Sequence, residues 1–348
     1  MESTPRWTHR PTGSTWGDFG LDDELGRLNL LTPEKVLQGI AEVSNGRTFC
    51  LSLPLDLPGG TGLSLTRKRP ELRPTLRANG AIQMNYALRC DDPTAPDIVC
   101  DDQVLLTLQY STQWDSLAHI GQMFDVHGDG NPLDVYYNGY RAGTDIVGPR
   151  DDDGCGPARP GGGQVGARRL GVENMARACI QGRGVMVDLE AHFGRTGKIV
   201  GYQDLMGVLD RDRVEVQPGD IVLLRTGLGQ MIVDLRENLT RDVMGTVAAL
   251  DGADERLQEW ITGTGLVALV SDNFAVEVLP ARRPAGGPTL PLHAHCLFRL
   301  GVYLGELWYL TELADWLRAN GRSRFLLTAP PLRLPGAVGS PVSPVATV

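Results

Sequence analysis

Between Tyr110 and Ile120 the chain reads Ser111-Thr112-Gln113-Trp114-Asp115-Ser116-Leu117-Ala118-His119, which sets a carboxylate and an imidazole four residues apart. A carboxylate oxygen and a histidine nitrogen together suit Zn²⁺, Mn²⁺ or Fe²⁺, but two ligands do not close a site. On this stretch alone, a structural Asp–His hydrogen bond and half of a metal site both stand. Only six histidines occur, His9, His119, His127, His192, His293 and His295, so an imidazole-based site draws on a short list. The best source of further donors is LHAHCLFRLGVYLGE, Leu292 to Glu306, where two histidines stand two apart and a glutamate follows among apolar residues. Burying such groups is costly unless they are paired. Their repetition favours a site over a lone core histidine.

These donors need elements to hold them. If Val104 to Gln109 is a strand that continues to Asp115, the side chains of Gln109, Ser111, Gln113 and Asp115 share one face. Trp114 falls on the other face, where core packing competes with contact to a substrate. His119 lies beyond the strand end, where a turn brings it back toward Asp115. Short apolar runs at Leu105 to Leu108, Val185 to Val187, Ile221 to Leu224, Leu266 to Val270 and Phe325 to Leu327 read as strands buried on both faces. Helical patterns lie between them at Val172 to Gln181, Ala253 to Ile261 and Leu310 to Leu317. The alternation predicts an α/β domain on one central sheet. Thr32-Pro33 starts a helix that should end at Gly46, and Gln217-Pro218-Gly219-Asp220 is a turn feeding the Ile221 strand. Long loops are expected over Asp125 to Gly139 and Arg150 to Arg168; Tyr136, Tyr137 and Asn138 in the first are candidates for lining an aromatic pocket. The tail from Pro330 to Val348 reads as an extended arm on the body or on a neighbouring subunit.

Of 348 residues, 42% are hydrophobic, enough for a sizeable core, and one domain over 1–348 is expected, with an N-terminal segment 1–48 and the C-terminal arm 330–348. Lys and Arg number 33 against 42 Asp and Glu, a net charge of −9, and no basic cluster suits nucleic acid. Asp151-Asp152-Asp153 and Gly161-Gly162-Gly163 read as solvated loop rather than a phosphate cradle. No window approaches the roughly 18 apolar residues of a membrane span, and the N-terminus lacks an apolar leader, so the expectation is a cytoplasmic protein. Cys50, Cys90, Cys100, Cys155, Cys179 and Cys296 form no CxxC pair and are expected to be mostly buried thiols.

QYSTQWDSLAH, residues 109 to 119, resembles the HxGTHxDxPxH signature of the metal-dependent cyclase family, which includes bacterial kynurenine formamidases and isatin hydrolase. Thr112, Asp115 and His119 match; Gln109 and Gln113 replace two histidines, Ser111 a glycine and Leu117 a proline. WGDFGLDDELGRLNLLTPEKV, YYNG, PGDIVLLRTG, SDNFAVEVLP and LGELWYLTELA are similar to segments of the larger, TQWD-bearing branch. The resemblance implies a swivelling β/β/α fold with a central mixed sheet, a homodimer or homotetramer, and a divalent metal, Zn²⁺ or Mn²⁺, that activates water against an amide or lactam carbonyl. Carried over by position, Asp115, His119, His293 and Glu306 are the metal ligands, with His295 in reserve for His293. An amide oxygen is a far weaker ligand than imidazole, so Gln109 and Gln113 point to a single ion.

Two reactions follow. One is metal-assisted hydrolysis of a cyclic amide, an aryl formamide or a lactone, with His119 and Glu306 moving protons, Gln113 assisting, and Trp114, Tyr137 and Asn138 touching an aromatic or cyclic substrate. The other dispenses with metal: a cyclase, dehydratase or isomerase of secondary metabolism, using His119 and Glu306 as acid and base. A binding protein without catalysis is the weakest reading, since it would keep Asp, His, His and Glu without need.

Overall fold

A computed structural model describes residues 5–59, 63–148 and 165–348. Its centre is a nine-stranded mixed sheet, built from β1 (Thr48–Cys50), β2 (Gln113–Asp115), β3 (Gln181–Asp188), β4 (Ile221–Arg225), β5 (Ala268–Ser271), β6 (Tyr303–Glu306), β7 (Arg324–Thr328), β8 (Gly339–Pro341) and β9 (Val345–Thr347). The spatial order is β1-β9-β7-β3-β4-β5-β6-β2-β8. β3 to β6 run parallel, and the outer strands pair antiparallel on both sides. This is the mixed α/β architecture expected from the alternation of apolar runs and helical patterns.

The parallel centre is continuous apolar sequence because both faces are covered. Val185, Val187, Ile221, Val222, Leu223, Val270 and Leu304 are fully buried. Helix α1 (Pro33–Ala41) starts where the Thr32 side chain accepts from Lys35 N and Pro33 occupies the first helical position, and it stops five residues before Gly46. α2 (Tyr202–Asp212), α3 (Leu228–Leu235), α4 (Glu255–Thr264) and α5 (Thr311–Ala319) follow strands or lie between them. Residues 172–181 divide into a helix over Val172–Arg177 and the start of β3 at Gln181. The C-terminal tail supplies β8 at one edge and β9 near the other.

One expected core strand is absent. Asp102–Leu105 pairs with Glu71–Pro74 in a separate hairpin, all four of its residues are exposed, and residues 108–112 form turns and bends. The four-residue polar row on one strand therefore shortens to Gln113 and Asp115. An apolar run by itself does not reveal whether anything packs on it. The cysteines differ too: Cys50, Cys90, Cys100 and Cys179 are exposed and Cys296 is buried. Cys155, the acidic run and the triple glycine lie outside the described residues. Among those residues no helix is long and apolar enough to cross a membrane.

Candidate metal centre

β2 and β6 build the site by register. Gln113 lies directly opposite Glu306, Trp114 opposite Gly305 and Asp115 opposite Leu304. Alternation puts Gln113, Asp115 and Glu306 on one face of the sheet, where cross-strand neighbours touch. On the other face Trp114 packs edge-on against Trp308, ring centroids 5.1 Å apart, and Gly305 leaves them room, since a Cβ there would fall 2.9 Å from the Trp308 indole nitrogen.

His293 arrives from a separate piece of chain, Pro291–His293, that runs straight into a π-helix over Ala294–Leu300. π-Turns of this kind are uncommon and concentrate at functional sites. Asp115, His293 and Glu306 each offer a ligand atom within 4.8 Å of the others. All three are buried.

Four neighbours surround this set. Glu277 accepts hydrogen bonds from the backbone N–H groups of Leu292 and His293, both at 3.1 Å, and from His293 Nδ1 at 2.7 Å. With Nδ1–H so engaged, Nε2 is the nitrogen left to ligate, an arrangement common behind metal-bound histidines. Gln113 Nε2 donates to Glu306 Oε2 at 3.0 Å and approaches Asp115 Oδ1 at 3.5 Å, so the amide clamps the two carboxylates. Arg67 Nη1 lies 3.5 Å from Glu306 Oε2 and donates to Gln109 O at 3.0 Å. His119 Nε2 stands 3.7 Å from Asp115 Oδ1, at the rim, with a fifth of its side chain exposed.

Charge follows from burial and partners. Burial pushes the Asp115 carboxyl up, with Glu306 adding to the rise and His119 opposing it. Burial also acts to raise Glu306, but the His293 hydrogen bond and Arg67 outweigh it and hold that carboxyl below its ordinary value. For His293 burial opposes the charged form, and hydrogen bonds to Glu277 and Glu306 overcome it, lifting the imidazole to about 10.

The residues fit a divalent cation. Asp115 Oδ2 and Gln113 Oε1 are buried with no hydrogen-bond partner, although buried oxygens are nearly always satisfied. The donors are two carboxylates and an imidazole, the chemistry Zn²⁺ and Mn²⁺ take. The three carboxylates, Asp115, Glu277 and Glu306, could be balanced by Arg67 and one divalent ion, which would displace the proton that His293 otherwise holds between Glu277 and Glu306.

The comparisons with known proteins come to the same fold. The Cyclase family model matches residues 30–278. The chain belongs to the cyclase family. A crystal structure described as a novel cyclase is 31% identical, with 96% of this chain and 97% of that one aligned and a TM-score of 0.72. Isatin hydrolase A from Labrenzia aggregata, bound to benzyl benzoate, is 12% identical over 90% of this chain and 97% of its own, with a TM-score of 0.54. Isatin hydrolase A from Ralstonia solanacearum is 15% identical over 90% and 97%, TM-score 0.53. At such identities the two isatin hydrolases speak for the fold alone. No curated protein matches.

Among the residues picked from the cyclase-like sequence, Asp115, His293, Glu306, Gln113 and His119 come together. Others are seated away from any ligand. His295 Nε2 is engaged by Gln258 O at 2.9 Å and Thr262 Oγ1 at 3.0 Å, and burial, with Arg299 nearby, depresses its pKa to about 4. It braces the π-helix against α4 and does not substitute for His293. Trp114 is fully buried with its indole N–H donating to Ala329 O at 2.8 Å, so it packs the core in place of stacking on substrate. Tyr137 and Asn138 are also fully buried. The Asn138 amide donates to Gly20 O, Leu21 O and Asp23 O, and the Tyr137 hydroxyl donates to Asp23 Oδ2, so these two side chains anchor the N-terminal segment instead of lining an aromatic pocket.

Glu277 and Arg67 were not singled out by spacing. Glu277 sits in SDNFAVEVLP after two residues with positive φ, Ala275 at 80° and Val276 at 60°. A β-branched valine there is strained, and strain gathers at functional sites. That signal exists only in the backbone. Gly252 completes the pocket for Glu277: a Cβ at this position would lie 2.1 Å from Glu277 Oε2.

Proposed function

We propose that the chain is a metal-assisted hydrolase that opens a cyclic amide, an aryl formamide or a lactone, and that Asp115, His293 and Glu306 hold one divalent ion. The observation that carries this reading is the convergence of those three donors with Asp115 Oδ2 left unpartnered and His293 Nδ1 tied to Glu277. A divalent ion bound there supplies electrophilic charge, polarising a carbonyl and acidifying water.

The chain's own groups do the rest. His119, at the exposed rim beside Asp115, takes the proton from the attacking water and returns it to the departing nitrogen or oxygen. The products are a carboxylate and an amine or alcohol, so atoms and protons balance. Gln113 holds the Asp115 and Glu306 carboxylates in place, and its unpartnered Oε1 remains an acceptor. The Arg67 guanidinium supplies positive charge for a developing oxyanion. The near-complete burial of the donors keeps bulk water from competing. Small cyclic or aromatic substrates suit so closed a site.

A second reading has its own observation. His293 Nε2 lies 3.3 Å from Glu306 Oε1, so a charged His293 between Glu277 and Glu306, with Arg67, holds the carboxylates without any ion. In that case His119 and Glu306 are acid and base of a metal-free cyclase, dehydratase or isomerase. Metal analysis of chelator-free protein separates the two. The hydrolase requires about one ion per chain, lost together with turnover of isatin, formanilide or a benzo-fused lactone in Asp115→Ala. Metal-free protein that keeps its full turnover would sink it.

A further inference from the structure

Gln109 lies in the turn that leads into β2, half-buried, and two distant parts of the chain fix where it sits. Its backbone carbonyl accepts from Arg67 Nη1 at 3.0 Å, and the same nitrogen lies 3.5 Å from Glu306 Oε2. Its side chain is placed by a glycine. Gly339 of β8 stands opposite Asp115 in the register, and directly opposed residues of an antiparallel pair project from the same face of the sheet, with Cβ atoms roughly 5 Å apart. A Cβ on Gly339 would fall 2.5 Å from Gln109 Nε2 and 3.1 Å from its Cδ. The Gln109 amide therefore takes the room that a side chain at 339 would fill, beside Asp115 and on the face that carries Gln113 and Glu306. Among the described residues that amide has no hydrogen-bond partner.

We propose that Gln109 is a specificity-determining residue, seated by Gly339, whose amide pairs with the N–H and C=O of a cyclic amide and so separates lactams from lactones. The proposal rests on the hydrolase reading, which leaves both substrate types open. A ring holds its amide cis, with N–H and C=O on one side. A glutamine amide offers an acceptor oxygen and a donor NH₂ along its own edge, so the two amides meet through two parallel hydrogen bonds. This pairing uses one of the two lone pairs of the substrate carbonyl and leaves the other for activation. A lactone puts a ring oxygen where the N–H would be, so two acceptors face each other and the second bond is lost. Sites that hydrogen-bond a substrate N–H discriminate against the analogue lacking it, because their own polar group is then left unpaired.

The neighbouring polar groups cannot make both bonds. Gln113 commits its NH₂ to Glu306, with Asp115 beside it, so only its oxygen remains. Arg67 has donors and no acceptor. Gln109 alone among these three keeps a donor and an acceptor side by side.

Titration with oxindole and with N-methyloxindole, two lactams that differ only at the ring nitrogen, tests the pairing without turnover. Wild type should bind oxindole about tenfold more tightly, the effect of a hydrogen bond whose loss strands an acceptor. Equal affinities, or no binding of oxindole, overturn the proposal. Gln109→Met, similar in length and without the amide, should bring the two ligands to parity. So should Gly339→Ala, whose methyl evicts the amide and fills its place; a preference that came from crowding of the N-methyl group would persist in both variants and refute the pairing. Metal content should be the same in Gln109→Met as in wild type, and its loss there would make Gln109 a ligand and overturn the role in recognition. Should Gln109→Met fail to fold by circular dichroism, the wild-type titration and Gly339→Ala decide. With substrates, kcat/KM for isatin over N-methylisatin should follow the same pattern, about tenfold in wild type and near one in Gln109→Met. A wild type that opens both equally refutes Gln109 and leaves the hydrolase reading standing. One that prefers oxindole yet opens no isatin refutes the hydrolase reading and leaves the recognition by Gln109 standing.

Discussion

Two buried aspartates in this protein stand in opposite chemical situations. Asp220, fully buried at the start of β4, has every lone pair engaged: Oδ1 accepts from Lys35 Nζ at 2.8 Å and Arg183 Nε at 2.9 Å, and Oδ2 from Arg183 Nη2 at 2.8 Å and Gln217 N at 2.7 Å. Asp115, equally buried, keeps Oδ2 empty and has Gln113 Oε1 empty beside it. The first cluster consumes its own hydrogen-bonding capacity and ties α1 to the sheet. The second preserves capacity for something the chain does not supply. Burial of a charge is thus no sign of function; what sets Asp115 apart is two unfilled acceptors side by side next to the ligand-type donors His293 and Glu306.

Mutation should separate the two most sharply at Asp220. Asp220→Ala strands Lys35 and Arg183 and should cost about 3–5 kcal/mol in denaturant unfolding, while metal stoichiometry at low temperature is untouched. Asp115→Asn should do the reverse, abolishing metal uptake while leaving chelator-treated protein at least as stable as wild type. A large loss of stability in Asp115→Asn would erase the distinction.

Asp272 offers an intermediate case, satisfied by neutral donors without a cation in contact. Thr226 N and Oγ1 and Gly227 N bind its oxygens, yet burial lifts its pKa from 3.8 to about 6. Because the folded state then binds the extra proton, stability falls as pH rises from about 4 to about 6. The total is about 3 kcal/mol. Asp272→Asn should remove that part of the slope, read as the wild-type minus variant difference in unfolding free energy between pH 4 and 7. An identical pH profile in the variant would refute it.

Metal addition probes the open cluster alone. Zn²⁺ at a hundred times its dissociation constant should stabilise wild type by about 2.7 kcal/mol and Asp115→Asn by nothing, measured by thermal shift. Smaller still is the supporting carboxylate. Glu277→Gln should weaken metal binding about 10- to 100-fold, and Gly252→Ala, which crowds Glu277 Oε2, should act in the same direction. Isothermal titration with full wild-type affinity in both variants would show that Glu277 has no part in the site.

Much of the fold was legible because the parallel strands are buried on both faces and so spell out Val185 to Val187, Ile221 to Leu224 and Phe325 to Leu327 as apolar runs. The hairpin at Asp102–Leu105 misled for the same reason, since Val104 and Leu105 look alike whether covered or bare. At the site, Asp115, His293 and Glu306 were readable as costly polar residues in apolar surroundings. Their separation in the chain, however, hid the register that makes Gln113 face Glu306.

By itself the sequence determined the alternating α/β pattern, the helix start at Thr32-Pro33 and the identity of the candidate donors, because these depend on residue type and local spacing. Tertiary structure alone decided that His293 and not His295 reaches the carboxylates, that Glu277 stands behind it, and that Trp114, Tyr137 and Asn138 serve packing. The physical reason is that a polar atom's role depends on which partners the folded chain brings to it, and those partners lie tens to hundreds of residues away.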